Sequence, residues 1–226
     1  MISTPTILAI SGSERAGGNT EYALDYVSEL AGARGFGFSA VRLREHDIAP
    51  CGRCGDCNVL PAPCHVDDDM PGIIERMRAA DAVVYATPVH GFGMAHLMQI
   101  FIERAGVGYL RFDRPLANKV GGAIVVSRRY SDSHVHQQLV LNMLLNRMIV
   151  VGSGFPALLR GGAPGNIARD TEGFDALDRM VHRMCDMVGL LHGYRDGIGE
   201  PPLACDDVNE RQTRARVAAF TGSGAR

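Results

Sequence analysis

Four of the six cysteines lie close together: Cys51-Gly-Arg-Cys54-Gly-Asp-Cys57, with Cys64 following after six residues. Three thiols at a C-x2-C-x2-C pitch can wrap a loop around one corner of a cubane, and a fourth nearby completes a thiolate tetrad. Gly52 and Gly55 let the backbone curl and direct N–H groups at sulfides, while Pro50, Pro61 and Pro63 stiffen the entry and return. Spacing leaves three occupants open. A 4Fe–4S cluster fits three consecutive cysteines. Zinc also takes four thiolates, although paired C-x2-C knuckles suit it better. Metal-free thiols, with Cys51 and Cys54 or Cys57 as a redox disulfide, are the third. His65 reads as a surface residue, and Cys185 as a core residue on a helix.

A second constellation follows the first apolar run, Thr6 to Ile10: Ser11-Gly-Ser13-Glu-Arg15-Ala-Gly-Gly-Asn19-Thr20. It is not a dinucleotide fingerprint, because G-x-G-x-x-G is absent, and not a P-loop, because no Gly-Lys-Ser/Thr follows. Hydroxyls, an amide, one arginine and the N–H groups of a helix N-terminus suit a terminal phosphate monoester. The competing reading is a tight strand–helix turn with Asn19 or Thr20 as cap. Thr87-Pro88-Val89-His90-Gly91-Phe92-Gly93-Met94 is a third candidate, a strand exit whose glycines would let the backbone approach a flat ligand. Arg128 and Arg129 follow another apolar run. They suit a substrate carboxylate or phosphate, a reduced cofactor, or solvent.

These loops need elements to hold them. Apolar runs at Thr6–Ile10, Ser39–Leu43, Ala82–Ala86, Val120–Val126 and Met148–Val151 read as strands. They alternate with helical periodicity from about 20, 70, 94, 134 and 173. That rhythm predicts an α/β fold with a doubly wound five-stranded parallel sheet, flavodoxin-like in its order 2-1-3-4-5, carrying a cysteine-rich insertion over 47–69. Ligands of such sheets sit at the carboxyl ends of the strands, beside the switch point between strands 1 and 3. The main domain is expected over 1–192, with a C-terminal extension over 193–226 that includes a helix near 206–220.

Composition bounds the partners. With 23 Lys+Arg against 25 Asp+Glu, the formal net charge is -2, so no global basic field exists to hold nucleic acid or anionic lipid. Val140–Leu159 is interrupted by Asn142, Asn146 and Arg147, so no membrane span is expected. Met1–Ile10 lacks the features of a signal peptide. The expected location is the cytoplasm, where cysteines stay reduced.

Several stretches together resemble the NADPH-dependent FMN reductase superfamily, and within it the iron–sulfur flavoproteins. They are GSERAGGNT (12–20), DDM (68–70), ATPVHGFGM (86–94), FIER (101–104), NRMIVVGSGFP (146–156) and PG…DTEG (164–173). The resemblance implies FMN, with its phosphate held by Ser11, Ser13, Arg15, Asn19 and Thr20. Its ribityl chain and ring would meet Thr87, Pro88, Val89, His90 and Gly91, and the loop at Ser127 and Arg128 would approach from the other side. It implies a 4Fe–4S cluster on Cys51, Cys54, Cys57 and Cys64. It also implies an enzyme taking electrons from NAD(P)H or ferredoxin to a small acceptor such as a quinone or an oxygen species. A homodimer or homotetramer, with a partner subunit covering the ring, is implied as well. Three positions depart from the family pattern: His90 stands where an aromatic is common, Gln99 replaces a common lysine, and SRRYSDSH lacks the usual paired glycines. His90, Arg128 and Arg129 are the candidate catalytic residues. The alternative function is a non-catalytic electron carrier or redox sensor.

Overall fold

The computed structural model describes residues 4–52, 64–110, 114–199, 201 and 203. Five strands run parallel. They are β1 (Thr6–Ser11), β2 (Gly37–Arg42), β3 (Ala82–His90), β5 (Val120–Ser127) and β6 (Ile149–Val150), in the order β2-β1-β3-β5-β6. This is the expected 2-1-3-4-5 order. Strands β1, β3 and β5 are hemmed in on both sides and buried almost throughout, which is why they read as continuous apolar runs.

Side chains alternate between the two faces of the sheet. Ile7, Ala9, Val84 and Ile124 pack under α1 (Asn19–Ala33) and α5 (Thr171–Ile198). Leu8, Ile10, Val83, Tyr85 and Val125 pack under α2 (Met70–Ala79), α3 (His96–Gly108) and α4 (Asp132–Leu145). Methionine fills both cores: Met98, Met143 and Met148 on one side, Met180 and Met184 on the other. Cys185 is buried in the α5 core, and burial pushes its thiol pKa up.

The structure departs from the expected elements in four places. β3 does not stop at Thr87-Pro88 but continues to His90, where it turns back into the two-residue β4 (Gly93–Met94) as an antiparallel hairpin. Pro88 is in register with Val126 of β5 and lies beyond Ala86, the last β3 residue paired with β1. The fifth strand is broken in two. β6 pairs with the start of β5, and β7 (Ala157–Arg160) pairs with its end. Gly152, Gly154 and Pro156 interrupt the pairing between them. No side chain caps α1: Gly18 is its N-cap, and Asn19 and Thr20 lie inside the first turn. Finally, α5 continues beyond the expected domain edge at 192, to Ile198. The expected helix near 206–220 lies outside the described residues. No described helix is long and apolar enough to cross a membrane.

Candidate functional site

The carboxyl ends of β1, β3 and β5 open onto one cleft with a volume of about 490 Å³. Its lining brings together Ser13 and Arg15 from the first loop, Asn19 and Thr20 from the first turn of α1, Pro88, Val89 and His90 from the β3 hairpin, and Ser127 and Arg128 at and just past the end of β5. It also includes Gly161 and Gly162, which follow β7 and were not picked out from the sequence. Two consecutive glycines after a strand were the available signal. Gly91 lies in the adjoining recess of about 630 Å³, with Phe92, Arg128, Arg129 and Tyr130.

Backbone geometry fixes the first loop. The Gly12 N–H donates to the Ala86 carbonyl at 2.8 Å, binding the β1 exit to β3. A Cβ on Gly12 would stand 2.6 Å from the Met98 Cβ and 3.1 Å from the Thr87 Oγ1, so only glycine fits. The Ser13 hydroxyl accepts from the Arg15 N–H and donates to the Arg15 carbonyl. Ser11 and Thr87 are fully buried beneath the cleft floor rather than lining it, and the Ser11 Oγ has no hydrogen-bond partner.

Asn19 has a different task from the one its position suggests. Its amide donates to the carbonyls of Gly161 and Ala163, both at 3.1 Å, and its Oδ1 accepts from the Gly165 N–H at 2.8 Å. The side chain staples the loop after β7 to the start of α1. Gly161 must be glycine there, because a Cβ would meet the Ile167 nitrogen at 2.7 Å. Glu21 secures the other flank. It accepts from the Gly17 N–H and pairs with Arg42 and Arg44 at the end of β2. Burial opposes its ionisation, but the Gly17 hydrogen bond and the two arginines prevail and hold its pKa below the usual value.

The α1 N-terminus therefore faces the cleft with no side-chain cap. Its first-turn N–H groups have no intrahelical partners and carry the positive end of the helix dipole. Thr20 is buried to 2% exposure at this end. Arg15 and Arg128 make no ion pair among the described residues. The donor set is that of an anion cradle. A nearby orphaned hydroxyl, a glycine-tight floor and a cleft of mononucleotide scale fit a flavin mononucleotide.

Across the cleft, Ser127 donates to Asp132 at 3.2 Å, and Asp132 accepts from Arg160 at 2.8 Å. Desolvation works against the Asp132 charge, but Arg160 and the Ser133 N–H hold its carboxyl below the ordinary range. Asp170 caps α5 through the Gly173 N–H and accepts from the Arg160 N–H, which is what the DTEG stretch does. His90 and His96 both approach the Glu14 carboxylate, at 3.5 and 2.7 Å. That joins the first loop to the β3 hairpin. Phe92 has a φ of 66°, a strained value for a non-glycine, and its ring lies 6.3 Å from that of Tyr130.

The residues flanking the cysteine-rich segment are knitted together. The Asp47 N–H donates to Asp69 Oδ2 at 2.9 Å, and the Ala49 N–H to Asp68 Oδ2 at 3.1 Å. Arg104 reaches across from α3 and grips Asp68 with both Nη atoms, at 2.6 and 3.1 Å. The pair joins the DDM stretch to FIER. Cys51 is exposed and Cys64 half-buried. Cys54 and Cys57 lie outside the described residues, and among the described residues no cluster of metal-ligating side chains forms. His65 is exposed beside Cys64, as expected of a surface residue.

A doubly wound parallel sheet with an uncapped helix N-terminus at its switch point defines a flavodoxin-like mononucleotide-binding protein. Residues 5–161 match the family model for NADPH-dependent FMN reductase, so the chain belongs to that family and is an FMN-dependent oxidoreductase. It is 35% identical to an iron-sulfur flavoprotein of Methanosarcina thermophila, over 84% of this chain and 98% of that one. It is 28% identical to the putative NAD(P)H-dependent FMN-containing oxidoreductase YwqN of Bacillus subtilis (strain 168), over 78% and 97%. Among solved structures, RosB with a bound 8-demethyl-8-formylriboflavin-5'-phosphate superposes with a TM-score of 0.66 at 19% identity, over 91% and 92% of the two chains.

Proposed function

We propose that this protein is an iron–sulfur flavoprotein-like reductase that moves electrons from NAD(P)H or a reduced ferredoxin to a small acceptor, a quinone or an oxygen species. FMN supplies hydride and single-electron chemistry, and the protein supplies placement and electrostatics. The observation that carries the reading is the uncapped α1 N-terminus facing a cleft built by three strand-end loops. There the first-turn N–H groups, Thr20 and Arg15 would hold the phosphate. Pro88, Val89 and His90 would lie along the ribityl chain and ring. Ser127, oriented by Asp132, and Arg128 would close the opposite side. Arg128, Arg129, Phe92 and Tyr130 offer a cationic, aromatic edge to an acceptor.

A 4Fe–4S cluster on Cys51, Cys54, Cys57 and Cys64 would exchange electrons singly with the flavin. The reading is supported by the cysteine spacing, by the clasp that joins the two ends of the segment, and by the iron–sulfur flavoproteins among the relatives. Chelation of four thiolates would add its binding energy to the order of that segment.

Anaerobically purified protein tests the whole reading. The expected result is one FMN and about four iron and four sulfide per chain, with NAD(P)H oxidation when menadione is supplied. Stoichiometric zinc or no metal would overturn the cluster. Reduction by a protein donor alone, with no turnover of small acceptors, would favour an electron carrier.

A further inference from the structure

Arg104 is the most completely buried charged residue at the cysteine segment. Its side chain is 1% exposed and that of Asp68 is 2%. A buried guanidinium is held at a cost, so its partners indicate its purpose. One Nη donates to Asp68 and to the Ala49 carbonyl, each at 2.6 Å. The other donates to Asp68 at 3.1 Å and to the Cys64 sulfur at 3.5 Å. Asp68 in turn accepts the Ala49 and Met70 N–H groups. A single side chain from α3 thus touches the backbone two residues before Cys51 and the sulfur of the last cysteine of the motif. The planar fork allows this, because it can serve several partners in fixed directions where an ammonium cannot.

We infer that Arg104, oriented by Asp68, is a positioning residue that pins both feet of the cysteine segment and donates a hydrogen bond to the Cys64 sulfur, thereby setting the retention and the reduction potential of the cluster proposed above. The inference rests on that cluster. A donor to a ligating sulfur stabilises the more negative, reduced cluster and raises its potential. Pinning Ala49 and Cys64 shortens the conformational search of the thiolates between them and slows loss of metal.

The test uses the full chain, loaded with FMN and reconstituted with iron and sulfide under anaerobic conditions. Wild type is compared with R104K, which keeps the charge but not the fork, and with the paired variant D68N plus R104M, which leaves no unpaired buried charge. FMN per chain and circular dichroism report the fold. Iron and sulfide content, the rate of iron loss to a chelator, and the midpoint potential from an EPR-monitored titration report the cluster. The expected result is wild-type FMN content in both variants. Iron should be lost several-fold faster in both, and the midpoint potential should fall further in the paired variant than in R104K. Wild-type retention and potential in both variants, with the wild type itself carrying a cluster, would overturn this inference alone. A wild type that takes up no iron would overturn the cluster and this inference together.

Discussion

At the residue scale, the clearest constraints are contacts that tolerate one side chain only. Gly12→Ala would drive a methyl into Met98 and the Thr87 hydroxyl. The expected cost is about 1–3 kcal/mol of stability, as for overpacking elsewhere, with FMN content falling alongside; thermal melts with and without added FMN measure both. The Arg104–Asp68 pair is the opposite case, a buried charge that cannot lose its partner. Arg104→Ala alone should cost roughly 3–5 kcal/mol, measured by urea unfolding. Acid stability follows from the same groups. At Asp68, burial favours protonation, but hydrogen bonds from Arg104, Ala49 and Met70 outweigh it and hold the carboxyl below its ordinary value. Glu21 and Asp132 are lowered likewise. A depressed carboxylate contributes its stability above the unfolded-state pKa and loses it as pH falls through the folded one. The contribution of these three carboxylates should therefore be level near neutrality and fall below roughly pH 4. Asp68→Asn should lower stability at pH 7 and flatten that acid limb, as chemical denaturation at a series of pH values would show.

At the element scale, the phosphate end of the cleft depends on two staples. Asn19 holds the loop after β7, and Glu21 holds the first loop to the end of β2. Asn19→Ala should release the 161–165 loop without touching the first-turn N–H groups. FMN binding should weaken by about tenfold, on the order of 1.4 kcal/mol, while the melting temperature of the flavin-free protein moves little. Flavin fluorescence titration checks the first expectation and calorimetry the second. Thr20→Val, which removes only a hydroxyl at the anion site, should weaken FMN without releasing that loop.

At the scale of the whole molecule, the apolar surface is unevenly distributed. Phe92 and Tyr130 are 71% and 61% exposed beside the cleft, and Phe155 is 67% exposed in the break between β6 and β7. Leu141, Leu144 and Leu145 on α4 are exposed as well. The burial of Val135, Leu139 and Met143 accounts for only one face of that helix. Exposed large apolar groups of this kind favour burial against another chain, and a closed two-fold dimer is the commonest arrangement. Sedimentation at micromolar concentration should give at least twice the single-chain mass of 24.3 kDa. Phe155→Arg should shift it toward the single chain. A monomer that keeps its flavin would remove the shared-site reading.

The amino-acid sequence by itself determined the α/β class, the strand order and the loops that meet at the cleft. Those depend on local signals: apolar runs with parallel-strand character, helical periodicity, and glycine-rich turns at strand exits. The tertiary structure decided what long-range pairing controls. Asn19 looks like a cap or a phosphate ligand from its neighbours, and only the arrival of Gly161–Gly165, more than a hundred residues later, makes it a staple. β7 escaped notice because its four residues gain their identity from pairing with β5, not from a pattern of their own. The hairpin at His90–Gly93 was hidden by Pro88, which reads as a strand end although the sheet carries it in register with Val126. DDM and FIER were visible as separate stretches. Their purpose became apparent only when folding brought Asp68 and Arg104 into one buried pair that touches Ala49 and Cys64, on either side of the cysteine segment.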